Sequence, residues 1–138
     1  MLRLSRECDE LVIVSDQIGA PIPAQLIADI TALAVSRLAH QPLKAGVYHL
    51  ASRGETSWHG VAQTIFQRAA ESGEPLAIQV DNIKGIPTAE YPTPAQRPLN
   101  SRLTVSHLEA ALNIYMPDWQ SQLKLTLDEL LSLNGTSG

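Results

Sequence analysis

Residues 11–23 read LVIVSDQIGAPIP, and this stretch decides the fold. The aliphatic run Leu11–Val14 follows charged residues and predicts a strand. Turn-forming residues at positions 16–23 predict a loop, and Pro23 suits the first turn of a helix, where its missing N–H costs no hydrogen bond. Apolar residues then recur at helical spacing and predict a helix over residues 23–40. A strand that leads through a loop into a helix is the repeating unit of α/β proteins.

The remainder of the chain alternates between short strands and amphipathic helices. Helical spacing of apolar residues after the N-cap residue Ser57 predicts a helix that ends at Gly73. Four prolines between residues 82 and 102 predict an irregular loop, because each proline pushes its predecessor out of helical space. The other predicted elements are strands over residues 46–50 and 76–80, a short helix over residues 106–112, and a final helix over residues 118–134 capped by Asp118.

This pattern of three strands and four helices is that of an α/β protein. It lacks the six-stranded sheet of a complete doubly wound domain. The chain also begins, over residues 1–10, with half a helix that has no N-cap. The sequence therefore predicts that a further part of the fold precedes Met1.

The composition is that of an aliphatic-cored globular chain and excludes several classes of function. Of 138 residues, 44% are hydrophobic and 17% are charged, which is typical of a folded domain. The net charge is −4 with 10 lysines and arginines, so we expect neither a nucleic-acid footprint nor a cationic membrane helix. The single Cys8 cannot form an intramolecular disulfide, and no apolar run approaches the ~20 residues that span a bilayer. We expect a cytoplasmic protein without nucleic-acid or membrane partners.

Sequence motifs of the common catalytic centres are absent. The chain contains no Gly-x-Gly-x-x-Gly dinucleotide loop, no Gly-Lys-Ser/Thr phosphate loop and no Gly-x-Ser-x-Gly nucleophile elbow. No lysine follows a tyrosine by four positions, so the tyrosine–lysine pair with which reductases protonate a carbonyl oxygen is missing. The four histidines show no metal-ligand spacing. We expect no catalytic residue and no bound cofactor in this chain.

Two loops are candidates for ligand binding. The loop 16–21 lies between a strand and a helix, where open α/β sheets bind ligands, although a simple turn explains it equally well. The proline-rich segment 91–102 contains two arginines, whose planar guanidinium groups suit phosphate oxygens; the alternative is a helix cap or a carboxylate partner. Trp58 and Trp119 open predicted helices, and we interpret them as packing anchors rather than as stacking platforms.

Six short motifs resemble the C-terminal half of the dTDP-4-dehydrorhamnose reductases, a family of extended short-chain dehydrogenase/reductases. They occur in the order and at about the spacing of that family, over essentially the whole chain. The motifs are DQIGAP at 16–21, GVYHL at 46–50, TSW at 56–58, YPTPA at 91–95, RPLNSRL at 97–103 and PDW at 117–119. Each is weak alone, but together they are specific.

The resemblance implies the α/β fold of the C-terminal substrate-binding part of such a reductase, with the N-terminal Rossmann half missing. In this family a hydride passes from NADPH to C4 of a dTDP-linked 4-keto-6-deoxy sugar, giving dTDP-L-rhamnose, while a tyrosine donates the proton. The family's Gly-rich loop and Tyr-x-x-x-Lys lie N-terminal to the matched region. Residues 1–134 would form the substrate-binding lobe, with 1–10 the remnant of an interior helix and 135–138 a polar tail.

The resemblance also implies the site residues and the partners. The expected substrate-binding residues are Gln17, Tyr91, Arg97 and Asn100, with Arg97 on the diphosphate and Asn100 bonding a neighbouring oxygen. The expected partners are a dTDP-linked 4-keto-6-deoxy sugar and the missing Rossmann half. We expect the lobe alone to be inactive with NADPH, and to self-associate through the face left uncovered.

Two departures from the family concern the helix that begins at Pro23 and a metal site. Ile22 stands where the family commonly has threonine. Some members bind Mg²⁺ between subunits through glutamates; Gln25 occupies one such position and Glu129 matches another. Because an amide is a poorer Mg²⁺ ligand than a carboxylate, we expect no tight Mg²⁺ site, and Glu129 is a candidate ligand that lacks a carboxylate partner.

A second interpretation is a non-catalytic binding or regulatory subunit built on the same scaffold. The regulatory subunit of methionine adenosyltransferase resembles these reductases and is such a case. The YPTPA run at 91–95 favours the reductase, whereas the missing active site fits both interpretations.

Overall fold

The computed structural model describes residues 1–91 and 93–135, and its architecture is mixed α/β. The strands are β1 (Leu11–Val14), β2 (Ile18–Gly19), β3 (Thr56–Ser57) and β4 (Ile83–Ile86). The helices are α1 (Leu2–Glu7), α2 (Ala24–Leu38), α3 (Trp58–Glu71), α4 (Ser106–Leu112) and α5 (Trp119–Gly135). Two short 3₁₀ turns cover Val80–Asn82 and Thr88–Glu90.

The strands form two small sheets. β1 pairs with β4 in parallel, from Leu11 opposite Ile83 to Val14 opposite Ile86. β2 pairs with β3 in the antiparallel sense, with Ile18 opposite Ser57. Because β1 and β4 run in parallel and in register, both strands end at the same end of their sheet.

Two clusters of apolar side chains hold the layers together. The first lies between α3 and the parallel sheet and is centred on Phe66, which is fully buried against Ile83 and Ile78. The second is centred on Leu112 and Met116, which are also fully buried, and the partly buried apolar face of α2 packs against it. The loop between β1 and α2 therefore connects the two clusters.

The predicted helices are confirmed, with ends that lie within two residues of the expected ones. The hydroxyl of Ser57 accepts a hydrogen bond from the Gly60 amide at 3.1 Å and caps α3, as expected. Gly73 follows α3 with φ +76°, and its amide donates to the carbonyl of Ala70, which closes a Schellman motif. A carboxylate oxygen of Asp118 accepts from an amide in the first turn of α5 at 2.8 Å.

Two predicted strands are wrong. Residues 46–50 form no strand, because no neighbouring strand of the described chain is hydrogen-bonded to them; Tyr48 instead stacks its ring on His107 at 4.4 Å. Residues 76–80 also form no strand, because this segment bends to bury Ile78 beneath α3 and Val80 begins a 3₁₀ turn. Alternating apolar residues reflected burial in both segments, not sheet pairing.

The prediction that residues 82–102 lack regular structure is wrong over Ile83–Ile86, which is β4. This strand pairs with a segment about seventy residues away, so nothing local in the sequence marks it. It also contains Gly85, where a Cβ would lie 3.2 Å from Cγ of His59. Glycine at such a strand position lets a side chain from another element pack close to the backbone. In a sequence it is easily misread as a loop residue.

An ion pair fixes the segment between α4 and α5. The Arg53 guanidinium donates to both carboxylate oxygens of Glu109 at 2.8 and 2.6 Å, and Glu109 also accepts from the Met116 amide at 2.7 Å. These hydrogen bonds, led by that of Arg53, lower the pKa of Glu109. The backbone of Arg53 bridges to Asp118, so the start of α5 is tied to the chain before β3.

The two ends of the chain bear on the predicted domain bounds. Residues 1–10 contain the short helix α1, whose first turn has no side-chain cap. Of the predicted polar tail, Gly135 is the last residue of α5, and residues 136–138 lie outside the described part of the chain. Within residues 1–91 and 93–135, no helix has both the length and the hydropathy needed to cross a membrane.

We predict that the chain self-associates through β1. Parallel sheets are normally covered on both faces, yet in the described chain β1 pairs only with β4, and Val12 is 43% exposed. Light scattering on a concentration series should give masses that rise above 15.0 kDa. Val12→Lys should shift the mass towards the monomer, because a charge at a strand edge opposes pairing.

Val47→Lys provides the matched control, since Val47 is also exposed but lies outside every strand of the described chain. A wild-type chain that stays a compact monomer at high concentration would contradict the prediction.

Candidate functional site

Two loops meet at the carboxyl-terminal end of the sheet formed by β1 and β4. Residues 15–23 follow β1 and lead into α2, and residues 87–105 follow β4 and lead into α4. The amide of Ser15 donates to the carbonyl of Ile86 at 2.9 Å, which extends the pairing by one step beyond the strands. Open α/β sheets bind ligands at the carboxyl ends of their strands, so this end of the sheet is the candidate site.

The first contact between the two loops is a hydrogen-bonded cluster, here called the Asp16–Thr88 latch. The carboxylate of Asp16 accepts from the Thr88 amide at 2.9 and 3.0 Å and from the Thr88 hydroxyl at 2.6 Å. The same hydroxyl accepts from Nε2 of Gln17 at 3.1 Å. The Thr88 hydroxyl and amide lower the pKa of Asp16, because both favour the ionised carboxylate. The latch thus fixes the side chain of Gln17.

The second contact lays residues 97–101 beside β2. The amide of Ile18 donates to the Leu99 carbonyl, and the Ser101 amide donates to the Ile18 carbonyl, both at 2.8 Å. A Cβ on Gly19 would lie only 2.7 Å from Oγ of Ser101, so a larger residue at position 19 would displace the Ser101 hydroxyl. The backbone immediately after Arg97 is therefore held to β2 through Leu99 and Ser101.

Two clefts flank this junction. The first, here called the loop cleft, has a volume of about 520 Å³ and is lined mainly by the β1–α2 loop, by the β3–α3 turn and by Arg97, Pro98 and Ser101. The second, here called the apolar cleft, has a volume of about 420 Å³ and is lined mainly by Met1 and Leu4, by β1 and by Tyr91, Thr93 and Arg97. Among the described residues, Gln17, Trp58 and Arg97 line both clefts.

The structure brings three of the four predicted substrate-binding residues together. Gln17 and Arg97 line both clefts, and Tyr91 lines the apolar cleft. Arg97 forms no side-chain hydrogen bond or ion pair within the described chain, so its guanidinium is available to an anion. Asn100 lines neither cleft, and its Oδ1 accepts from the backbone amide and Nε of Arg102 at 3.1 and 3.0 Å.

Trp58 is the residue of this site that the sequence interpretation missed. Trp119 is only 5% exposed and is a packing anchor as expected, but Trp58 is 48% exposed and borders both clefts. Helical position could not distinguish the two, since each tryptophan is the first residue of its helix and only the tertiary packing buries one of them. The TSW motif at 56–58 was the signal that could have identified it.

Comparison with known proteins decides the family. Residues 1–132 match the RmlD substrate binding domain. The chain belongs to this family. The dTDP-4-dehydrorhamnose reductase of Shigella flexneri is 43% identical over 132 residues, which cover 96% of this chain and 44% of that protein. The predicted resemblance is therefore confirmed.

Solved structures agree with the assignment to the RmlD substrate binding domain. A dTDP-4-dehydrorhamnose reductase from Clostridium acetobutylicum superposes with a TM-score of 0.78 at 26% identity, covering 94% of this chain and 41% of that one. The enzyme from Bacillus anthracis, solved in complex with NADP, gives 0.70 at 28% identity and covers 93% and 41%. The predicted α/β substrate-binding fold is confirmed, and the chain spans less than half the length of these relatives.

The structure shows the surroundings of Gln25 and Glu129, the two residues considered for Mg²⁺. Gln25 donates through Nε2 to Asp29 at 2.9 Å, which engages its amide within α2. Glu129 lies on an exposed part of α5. Within residues 1–91 and 93–135, no group of three or more His, Cys, Asp or Glu side chains is placed to hold a metal ion.

We predict that Thr88→Val destabilises the domain. The variant keeps the shape of the side chain but removes the hydroxyl that donates to Asp16, and the melting temperature should fall by about 3 °C at neutral pH. The folded-state pKa of Asp16 is below its ordinary value of about 3.9, so this stabilisation is present at neutral pH and is lost as the pH falls through the folded pKa.

The difference between wild type and Thr88→Val should accordingly shrink on acidification. Thr126→Val is the control, because the Thr126 hydroxyl donates only to a carbonyl of its own helix. Equal melting temperatures for Thr88→Val and wild type from about pH 3 to pH 7 would show that the latch contributes nothing.

We also predict that Mg²⁺ does not stabilise this chain. A ligand that binds only the folded state raises the melting temperature, and the environments of Gln25 and Glu129 offer too few carboxylates. Thermal unfolding in sub-millimolar Mg²⁺ should match that in KCl of equal ionic strength. A clear upward shift that Glu129→Ala abolishes would contradict this.

Proposed function

We propose that this chain is the sugar-nucleotide-binding part of an NADPH-dependent reductase that converts dTDP-4-dehydro-L-rhamnose to dTDP-L-rhamnose. The observation that carries the proposal is the unpaired guanidinium of Arg97 at the junction of two clefts. The chain has a net charge of −4, so a cation held open on a braced loop is suited to an anionic ligand. The curated relatives named as dTDP-4-dehydrorhamnose reductases support a dTDP-sugar as that ligand.

The chain's own residues would bind and orient this substrate. Arg97 donates to the diphosphate, since its planar fork matches paired phosphate oxygens. The sugar extends into the apolar cleft, where the hydroxyl of Tyr91 is available to it. Asn100 lines neither cleft; its Oδ1 holds Arg102 and so supports the segment that carries Arg97 rather than contacting the phosphates.

The reduction itself needs groups that this chain does not carry. The bound cofactor would supply a hydride to C4 of the sugar, and the carbonyl oxygen would gain a proton from an acid. The sequence has neither a Gly-rich dinucleotide loop nor a tyrosine–lysine pair, so we propose that a separate Rossmann half provides both. The apolar cleft lies beside β1, which in the described chain pairs only with β4, and this supports packing of the Rossmann half on that side of the domain.

We predict that Arg97→Ala weakens binding of dTDP-L-rhamnose by about tenfold to a hundredfold, as expected for the loss of a charge-assisted hydrogen bond. Arg97→Lys should also weaken it, because an ammonium group cannot reproduce the fork. Titration calorimetry, or ligand-observed NMR for weak binding, measures the affinity. Arg68→Lys is the control, since Arg68 already pairs with Asp128 and Glu71.

Unchanged affinity in Arg97→Ala together with a lower melting temperature would make Arg97 a structural brace and remove the basis of the proposal.

Adding a separately produced Rossmann half of a relative distinguishes the reductase from the non-catalytic regulatory subunit. Restored oxidation of NADPH in the presence of dTDP-4-dehydro-L-rhamnose supports the reductase. Nucleotide binding without any restored activity supports a regulatory subunit.

A further inference from the structure

The indole of Trp58 is presented on a rigid support. Its neighbour Ser57 pairs with Ile18 across β2 and β3, and the Ser57 hydroxyl caps α3 by accepting from the Gly60 amide. A Cβ on Gly60 would lie 2.3 Å from Oγ1 of Thr56, so a larger residue at position 60 would displace the Thr56 side chain in β3. The backbone around Trp58 is therefore fixed, which lowers the entropy cost of binding a ligand on its ring.

The two neighbours of Trp58 at the junction complement a nucleotide. Gln17 is held by its Nε2 on Thr88, and its Oε1 has no partner within the described chain, so this oxygen is free to accept from an N–H donor. Arg97 is free to donate to phosphate. A flat aromatic face, a fixed amide acceptor and a guanidinium therefore line the same two clefts.

We propose that Trp58 is the stacking platform for the nucleobase of the bound nucleotide, in the loop cleft, with Gln17 accepting from the base and Arg97 holding the phosphates. This inference rests on the proposed function and adds to it the orientation of the ligand. The base lies over the β3–α3 turn and the sugar points past Arg97 to Tyr91. Bases stack on tryptophan whatever their identity, whereas the amide of Gln17 selects for a base with an N–H at its pairing edge.

The test compares two probes, dTDP and inorganic pyrophosphate, on the 138-residue chain. Trp58→Ala should weaken dTDP binding by about tenfold, within the range measured for base–aromatic stacking, and should leave pyrophosphate binding unchanged. Trp58→Phe should retain most of the dTDP affinity. Arg97→Lys should weaken both probes. Tyr115→Ala is the control, since this exposed aromatic residue borders neither cleft.

Fluorescence supplies a second readout, because Trp58 and the buried Trp119 are the two tryptophans of the chain. dTDP should quench the wild-type emission, pyrophosphate should not, and Trp58→Phe should lose the quenching while it still binds dTDP. Equal dTDP affinity in wild type and Trp58→Ala would overturn the stacking assignment and leave the proposed function standing. Failure of the wild type to bind either probe would overturn both.

Discussion

The parallel pairing of β1 with β4 is the constraint on which the rest of this domain depends. Since Val14 lies opposite Ile86, the loops that follow the two strands start side by side at the carboxyl-terminal end of the sheet. Parallel pairing also demands a long connection, and that connection contains α2, which packs against one hydrophobic cluster, and α3, which supplies Ala62 and Phe66 to the other. One backbone register therefore positions the core and the junction of the two clefts.

Hydrogen bonds between the two loops that follow β1 and β4 fix the geometry of the candidate site. The Asp16–Thr88 latch acts within two residues of the strand ends, and the pairing of Ile18 with Leu99 and Ser101 fixes the other side of the segment that carries Arg97. A charged loop residue on a mobile segment would lose side-chain and backbone entropy on binding. Here the backbone just after Arg97 is already fastened to β2, so part of the backbone cost is met on folding, while the guanidinium stays free to bind a ligand.

The helices could be predicted from the sequence because their information is local. Ser57, Gly73 and Asp118 mark helix ends by capping chemistry, and the apolar stripes between them have the helical period. β4 could not be predicted, since its partner is β1 and its Gly85 is set by the ring of His59. The segments 46–50 and 76–80 show the reverse error, because burial alone gave them the alternation of a strand.

The residues of the candidate site also divide into those that the sequence predicted and those that depend on tertiary structure. Gln17 and Arg97 lie in motifs whose chemistry suits a nucleotide sugar, and the structure places both at the junction. Trp58 belongs to it through tertiary placement: its helix begins beside β2, a fact that no spacing within residues 57–71 contains. Asn100 shows the converse, because its Oδ1 is engaged by Arg102, an interaction set by loop geometry.

The measurement that tests this account most directly is an amide and indole NMR titration of the chain with dTDP-L-rhamnose. The account predicts that the Trp58 indole signal and the backbone signals around Gln17 and Arg97 shift together with one dissociation constant, while the buried Trp119 indole signal stays in place. Shifts confined to other surfaces, such as the exposed part of α5, would contradict the assignment of the site to this junction.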